Sequence, residues 1–322
     1  MAAGVISALV STGDPEKVER REFARPVPEP GELLVAVRAI SVNRGELHRL
    51  GDLATAGWRP GWDFAGEVLD SRSGTLTPGT RVFGMCADGS WAEQIAVPAS
   101  QLARVPDGLS LAQAAALPVA GLTALRTLRL AAPMARGRVT APPGLGGLAG
   151  CRVLVTGAAG GVGRFAVRLA ALAGAEVVAV SRRPDGLRTL GAAVVLDSPE
   201  RLADGRGYDV VLESVGGASL GAALALAASG GQVVSYGNSS LTKTSFLVND
   251  FYPNQAVLRG FFLLRDRERE PVGADLRVLA DLAVTGRLPV EIAEETGWDE
   301  VGRVLRRLRD RTIAGKAVLR LP

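Results

Sequence analysis

Cys151-Arg152-Val153-Leu154-Val155-Thr156-Gly157-Ala158-Ala159-Gly160-Gly161-Val162-Gly163 decides the fold of this chain. The β-branched run Val153 to Thr156 reads as a buried parallel strand. It breaks at Gly157, and Gly160 and Gly163 follow before the helical pattern of Phe165-Ala166-Val167-Arg168-Leu169. Each glycine has a role in a dinucleotide site. Gly157 permits a tight turn, Gly160 lets backbone approach a pyrophosphate, and Gly163 lets the helix lie close to the strand. The pyrophosphate would then rest on the unpaired N–H groups of the helix start, around Gly157, Ala158, Gly160, Gly161, Val162 and Gly163.

The next strand gives that loop its context. Glu176 to Ser181 has the length and composition of a second buried strand. An NAD site places Asp or Glu at its end, about 20 residues beyond the glycines, to hold the ribose 2′-hydroxyl. Ser181-Arg182-Arg183 stands there instead. A carboxylate would repel a 2′-phosphate, whereas two guanidiniums and a hydroxyl attract one. The expected cofactor is NADPH.

Working outward, the first 120 or so residues carry short alternating runs (Leu33 to Val37, Gly66 to Leu69, Thr80 to Phe83) separated by Pro-Gly turns. That is an all-β pattern of the barrel kind. From Cys151 the rhythm becomes strand, helix, strand. Further strands are expected at Ala193–Leu196, Val210–Leu212, Gln232–Ser235 and Val257–Leu264, with helices over 164–174, 185–190 and 217–228. Such alternation builds a doubly wound parallel sheet. Residues 131–150 read as a Pro- and Gly-rich surface loop. Amphipathic helices near 274–285 and 299–310 lead to a last strand, Lys316 to Leu321, which returns to the first domain.

At 322 residues, 47% hydrophobic and 22% charged, the chain suits two soluble domains. No apolar run reaches the 18 or more residues of a membrane span, so a cytoplasmic location is expected. Cys86 and Cys151 are too few for a disulfide framework. The net charge of +4 is dispersed. Its densest stretch, Arg303 to Arg311, alternates with Val304, Leu305 and Leu308 as the wet face of a helix, which argues against a nucleic-acid partner.

Several ordered motifs then bear on kinship: Ser41-Val42-Asn43-Arg44-Gly45-Glu46, Pro60-Gly61-Trp62-Asp63-Phe64-Ala65-Gly66, Val119 to Ala124, the glycine loop, Ser214-Val215-Gly216-Gly217, and Gly315-Lys316-Ala317-Val318. Along nearly its full length the chain resembles the medium-chain dehydrogenase/reductase superfamily, in its zinc-free quinone oxidoreductase and enoyl reductase branch. The resemblance implies an α/β protein with a GroES-like, β-barrel-type catalytic domain (1–122 and 265–322) and a doubly wound Rossmann domain (123–264) that binds NADP. Zinc-dependent members use a cysteine and a histidine as ligands. Asn43 and Trp62 stand at those positions here, and His48 is the sole histidine. With the Cys, His and carboxylate donors of tetrahedral zinc missing, no metal is expected.

That absence points to chemistry. Reduction of a simple ketone needs a metal or strong proton donor on the carbonyl oxygen. Hydride addition to the far carbon of an activated C=C needs only hydrogen-bond donors aimed at the developing enolate. Ene or quinone reduction is therefore the leading expectation. A zinc-free ketone reductase, or a nucleotide-binding protein of the same fold without turnover, are the alternatives.

In this resemblance Asn43, His48 and Thr123 are the catalytic candidates. Asn43 lies near nicotinamide and substrate, or serves as a turn residue. His48 takes a place where relatives carry a substrate-facing tyrosine or a relay histidine; an imidazole there can donate to an enolate, or simply decorate a helix surface. Thr123 faces nicotinamide or bonds its own helix. Val215, Tyr236, Phe261, Phe262, Leu263 and Lys316 complete the expected cofactor contacts. Val257 to Leu264, long and apolar for a sheet edge, is expected to pair with its copy in a homodimer.

Overall fold

A computed structural model describes residues 4–14, 17–51, 56–72, 74, 76–132, 147–198 and 207–322. In chain order the strands and helices are β1 (Val5–Ser11), β2 (Val18–Ala24), β3 (Glu32–Val42), α1 (Arg44–Leu50), β4 (Asp63–Ser71), β5 (Arg81–Met85), β6 (Gln94–Pro98), β7 (Leu102–Arg104), α2 (Leu111–Ala116), α3 (Pro118–Ala131) and β8 (Arg152–Thr156). There follow α4 (Gly161–Leu172), β9 (Glu176–Val180), β10 (Ala192–Leu196), β11 (Tyr208–Glu213), α5 (Gly217–Ala225), β12 (Ala227–Ser235), β13 (Val257–Gly260), α6 (Leu263–Arg269), α7 (Gly273–Val284), β14 (Ile292–Gly297), α8 (Val301–Arg309) and β15 (Lys316–Arg320). The chain divides into two compact units, Met1–Leu122 with Arg267–Pro322, and Thr123–Asp266.

The first unit is built on a sheet ordered β14-β15-β3-β4-β5-β7, with β6 also paired to β3. β3 buries nearly every residue because it is flanked by strands on both sides and covered on both faces. Its core gathers Leu33, Val35, Ile40, Phe64, Val82, Trp91, Val304, Leu305 and Leu319. The last strand does return here: β15 runs antiparallel to β3, with Ala317 opposite Val42. α8 shows why its arginine-rich sequence is helical, since Val301, Val304, Leu305 and Leu308 turn inward while Arg303 and Arg307 both meet Glu294.

The second unit is a six-stranded sheet ordered β10-β9-β8-β11-β12-β13, parallel throughout. Sequence order therefore reverses on either side of β8, the switch point at which parallel sheets of this kind bind ligands. β8 is buried at all five positions, which explains its uninterrupted apolar run.

Two expectations are corrected. Residues 185–190 form successive turns instead of a helix, because Pro184, Gly186 and Gly191 interrupt the backbone. Leu187 and Leu190 are nonetheless buried, which is what gave the stretch helical spacing. The strand expected over Val257–Leu264 stops at Gly260. Its partner β12 ends at Ser235, opposite Gly260, and Leu263 already begins α6. The loop expected over residues 131–150 lies, for 133–146, outside the described residues.

Candidate cofactor and active site

In the second unit the expected cofactor residues gather along one edge, the carboxyl ends of the parallel strands. Gly157 follows β8, Ser181 follows β9, Val215 follows β11, Tyr236 follows β12, and Phe261 and Phe262 follow β13. The glycine loop has the geometry its sequence implies. Gly157 takes a φ of 60°. A Cβ on Gly163 would come within 2.5 Å of the Gly157 carbonyl oxygen and 2.6 Å of Ala158 Cα, so only glycine lets α4 start this close to the strand. Gly160 is the N-cap of α4 and offers no side chain to it. The N–H groups of Gly161, Val162 and Gly163 at this helix start accordingly suit a pyrophosphate.

The neighbouring helix makes a contrast. Glu213, at the end of β11 and fully buried, accepts from Val215 N at 3.0 Å, from Gly216 N at 3.0 Å and from Ser219 Oγ at 2.9 Å. Thr156 Oγ1 also donates to it, at 3.1 Å. The α5 start already holds a buried carboxyl group, whereas among the described residues no side chain caps the start of α4. This carboxylate escaped the sequence reading, although its position directly before Ser214-Val215-Gly216 was a signal.

Beyond β9, Arg182 and Arg183 are exposed. Ser181 Oγ accepts from Arg183 N at 3.1 Å, which shapes the turn. Arg164 of α4 donates to the Asp185 carbonyl at 3.1 Å and so ties this basic loop to the helix whose start carries the glycines. Tyr236 is half-buried, and burial holds its hydroxyl well above the ordinary phenol range. Phe262 is exposed and Leu263 buried. Thr123, also buried, lies in α3, where its carbonyl accepts from Thr127 Oγ1 at 2.7 Å.

In the first unit, Asn43 caps α1 and His48 lies on the exposed side of that helix. Lys316 is not displayed at a surface. It is 4% exposed, and its Nζ donates to Asn43 Oδ1 at 2.7 Å and to Asp63 Oδ2 at 3.3 Å. Asn43 Nδ2 donates to the same Asp63 oxygen at 2.9 Å, and Val119 N donates to Asp63 Oδ1 at 2.7 Å. Burial pushes the Asp63 carboxyl up, opposed by Lys316, Asn43 and Val119.

Glu46, the last residue of the motif that begins at Ser41, is buried. Its two oxygens accept from Asn43 N and Trp62 N, each at 2.7 Å. Burial, and then the Asp63 charge, push it up to about 8. Trp62 packs so tightly on α1 that a Cβ on Gly45 would lie 2.6 Å from its ring. Cys86 is half-buried, and burial pushes its thiol up to about 12. Among the described residues, no group of three His, Cys, Asp or Glu side chains could hold a metal ion.

Residues 29–107 match the alcohol dehydrogenase GroES-like domain family, and residues 161–278 match the zinc-binding dehydrogenase family. The mycocerosic acid synthase-like polyketide synthase of Mycobacterium tuberculosis is 32% identical over 339 residues, covering 99% of this chain. The chain spans only 16% of the length of that relative. Among solved structures, mycobacterial Rv1454c complexed with NADPH superposes with a TM-score of 0.83 at 25% identity, covering 98% of this chain and 100% of that one. The CurK enoyl reductase does so with a TM-score of 0.82 at 22% identity, covering 99% of each chain. Ordered sequence motifs, a GroES-like unit and a switch-point sheet carrying a glycine loop lead to one conclusion: the chain belongs to the medium-chain dehydrogenase/reductase superfamily.

Proposed function

We propose that this chain is an NADPH-dependent reductase that adds hydride to the far carbon of an α,β-unsaturated carbonyl, or to a quinone, without a metal. The observation that carries the reading is the edge of the second unit. An uncapped α4 start for the pyrophosphate is tied through Arg164 to a loop bearing Arg182 and Arg183 and no acidic residue at the end of β9. NADPH supplies the hydride when bound. The chain supplies the seat for its phosphates, by backbone N–H groups and guanidiniums, and donors for the oxygen on which charge develops. The product enolate is closed by a proton on the α-carbon, from solvent or a side chain. The likeness to a polyketide synthase segment and to the fold of an enoyl reductase supports enones and enoyl thioesters ahead of quinones.

Independence from zinc is part of the proposal. It is supported by what occupies the ligand positions: Asn43, whose oxygen already accepts from an ammonium, and Trp62, whose ring is packed on Gly45. NADPH absorbance at 340 nm, followed with a panel of enones, enoyl thioesters and quinones in the presence of a chelator, tests the reading. Turnover of at least one class is expected; tight NADPH binding with no turnover would favour a binding protein.

A homodimer in the cytoplasm goes with this proposal. No described helix is long and apolar enough to cross a membrane. β13 is an edge strand with Leu258 exposed, and Phe246, Leu247, Tyr252 and Phe262 are exposed in the same unit. An unpaired edge of this kind invites a second copy. Light scattering at micromolar concentration should report twice 33.4 kDa, and Phe262→Asp should return the monomer.

A further inference from the structure

The carboxamide of Asn43 is gripped from two sides by groups of opposite charge. Lys316 Nζ donates to Oδ1 at 2.7 Å, and Nδ2 donates to Asp63 Oδ2 at 2.9 Å. Chemistry forces the direction of both bonds, because an ammonium only donates and a carboxylate only accepts. Turning the amide over would set an NH2 against the ammonium and a carbonyl against the carboxylate.

Each part of the grip is itself anchored. Asp63 opens β4 and is fully buried, with its other oxygen on Val119 N at 2.7 Å. Lys316 opens β15, whose next residue, Ala317, lies opposite Val42, the residue before Asn43. The backbone of Asn43 is held by Glu46 Oε2 at 2.7 Å. Two antiparallel strands, not a loop, set the spacing.

One Nδ2 hydrogen remains, with no partner among the described residues, on a side chain that is half-exposed. A cation on the amide oxygen withdraws density from the amide nitrogen, and chains of hydrogen bonds polarise one another in this way inside proteins. The ammonium and the carboxylate leave the group neutral overall. We propose that Asn43 is a one-way, charge-polarised donor to the carbonyl oxygen of the acceptor, with Lys316 and Asp63 as its positioning residues. The proposal rests on the reductase reading above. The acceptor it calls for is a molecule whose oxygen gains negative charge as hydride arrives, as the enones, enoyl thioesters and quinones of that reading do.

Steady-state kinetics with NADPH and the best enone separates the outcomes. Removing one donor aimed at a developing oxyanion costs about 10²–10³ in kcat. Asn43→Ala should therefore lower kcat about 100-fold with KM changed less than about 3-fold. Lys316→Met should lower kcat about 10-fold, a smaller loss because the donor stays and only its polarisation goes. Lys316→Arg, which keeps a cation on the amide oxygen, should recover most of that loss. Circular dichroism confirms folding, and Lys316→Met with Asp63→Asn, which strands no buried charge, replaces the single variant if that fails to fold. As a readout free of turnover, the Asn43 side-chain amide protons of the 15N-labelled protein, assigned by their absence in Asn43→Ala, should exchange at least about ten times faster in the Lys316 variant, since the hydrogen bonds that hold the amide are lost. Folded variants that keep wild-type kcat or wild-type amide exchange would overturn the inference while leaving the reductase reading intact. A wild-type protein that reduces no acceptor would overturn both.

Discussion

Lys316 Nζ stands 3.3 Å from Asp63 Oδ2 where neither side chain reaches water, the two being 4% and 0% exposed. A pair this deep gives up two hydration shells, so its net contribution is small while both partners are present. The asymmetry appears when one is taken away. Lys316→Met leaves a carboxylate without its cation and should lower the unfolding free energy by about 3–5 kcal/mol. Adding Asp63→Asn should recover much of the loss. Urea unfolding of the two single variants and the double variant measures this coupling. Additive losses would mean that the pair is not a unit.

Glu46 gives the protein a signed dependence on pH. Burial raises its carboxyl to about 8, whereas an unfolded glutamate titrates near about 4.3. Between these values the folded chain holds a proton that the unfolded chain has released, so stability falls as pH rises through the window and levels off above it. The slope is at most about 1.4 kcal/mol per pH unit. Glu46→Gln cannot titrate. The stability of the wild type relative to this variant should therefore shrink from pH 5.5 to pH 8.5, as read by denaturant unfolding. A relative stability that rises with pH would contradict the assignment.

Arg182 is the residue we propose for the 2′-phosphate of the cofactor. Hydrogen bonds to charged groups contribute about 1.5–3 kcal/mol each, about one to two powers of ten in affinity. In Arg182→Ala the NADPH dissociation constant should rise about 10- to 100-fold, with that for NADH nearly unchanged. Calorimetric titration with both cofactors decides it, and equal losses for the two would remove Arg182 from the 2′-phosphate.

What could be read from sequence follows the range of the interactions. The glycine loop was legible because a strand, a tight turn and a helix start are local. Its spacing states its own geometry, down to the Cβ that Gly163 cannot have. Val257 to Leu264 misled because apolar character does not say where a partner strand stops, and β12 stops at Ser235. Leu187 and Leu190 misled because turns can bury residues three apart as a helix does. The cluster of Asn43, Asp63 and Lys316 was least legible. Its members come from three distant segments that only the pairing of β3, β4 and β15 unites. A faint signal existed: Lys316 is one of three lysines in a chain otherwise rich in arginine, and Asp63 sits inside a quoted motif.

The atom that receives the hydride distinguishes an ene reductase from a ketone reductase. NADPH carrying deuterium at C4, prepared in each of its two stereoisomeric forms, is to be incubated with the protein and an enone, and the product analysed by mass spectrometry and NMR. One of the two cofactors is expected to deliver its deuterium to the β-carbon, with the carbonyl retained and the C=C saturated. Deuterium on the carbonyl carbon, with the C=C intact, would make the protein a ketone reductase and contradict the ene-reductase reading.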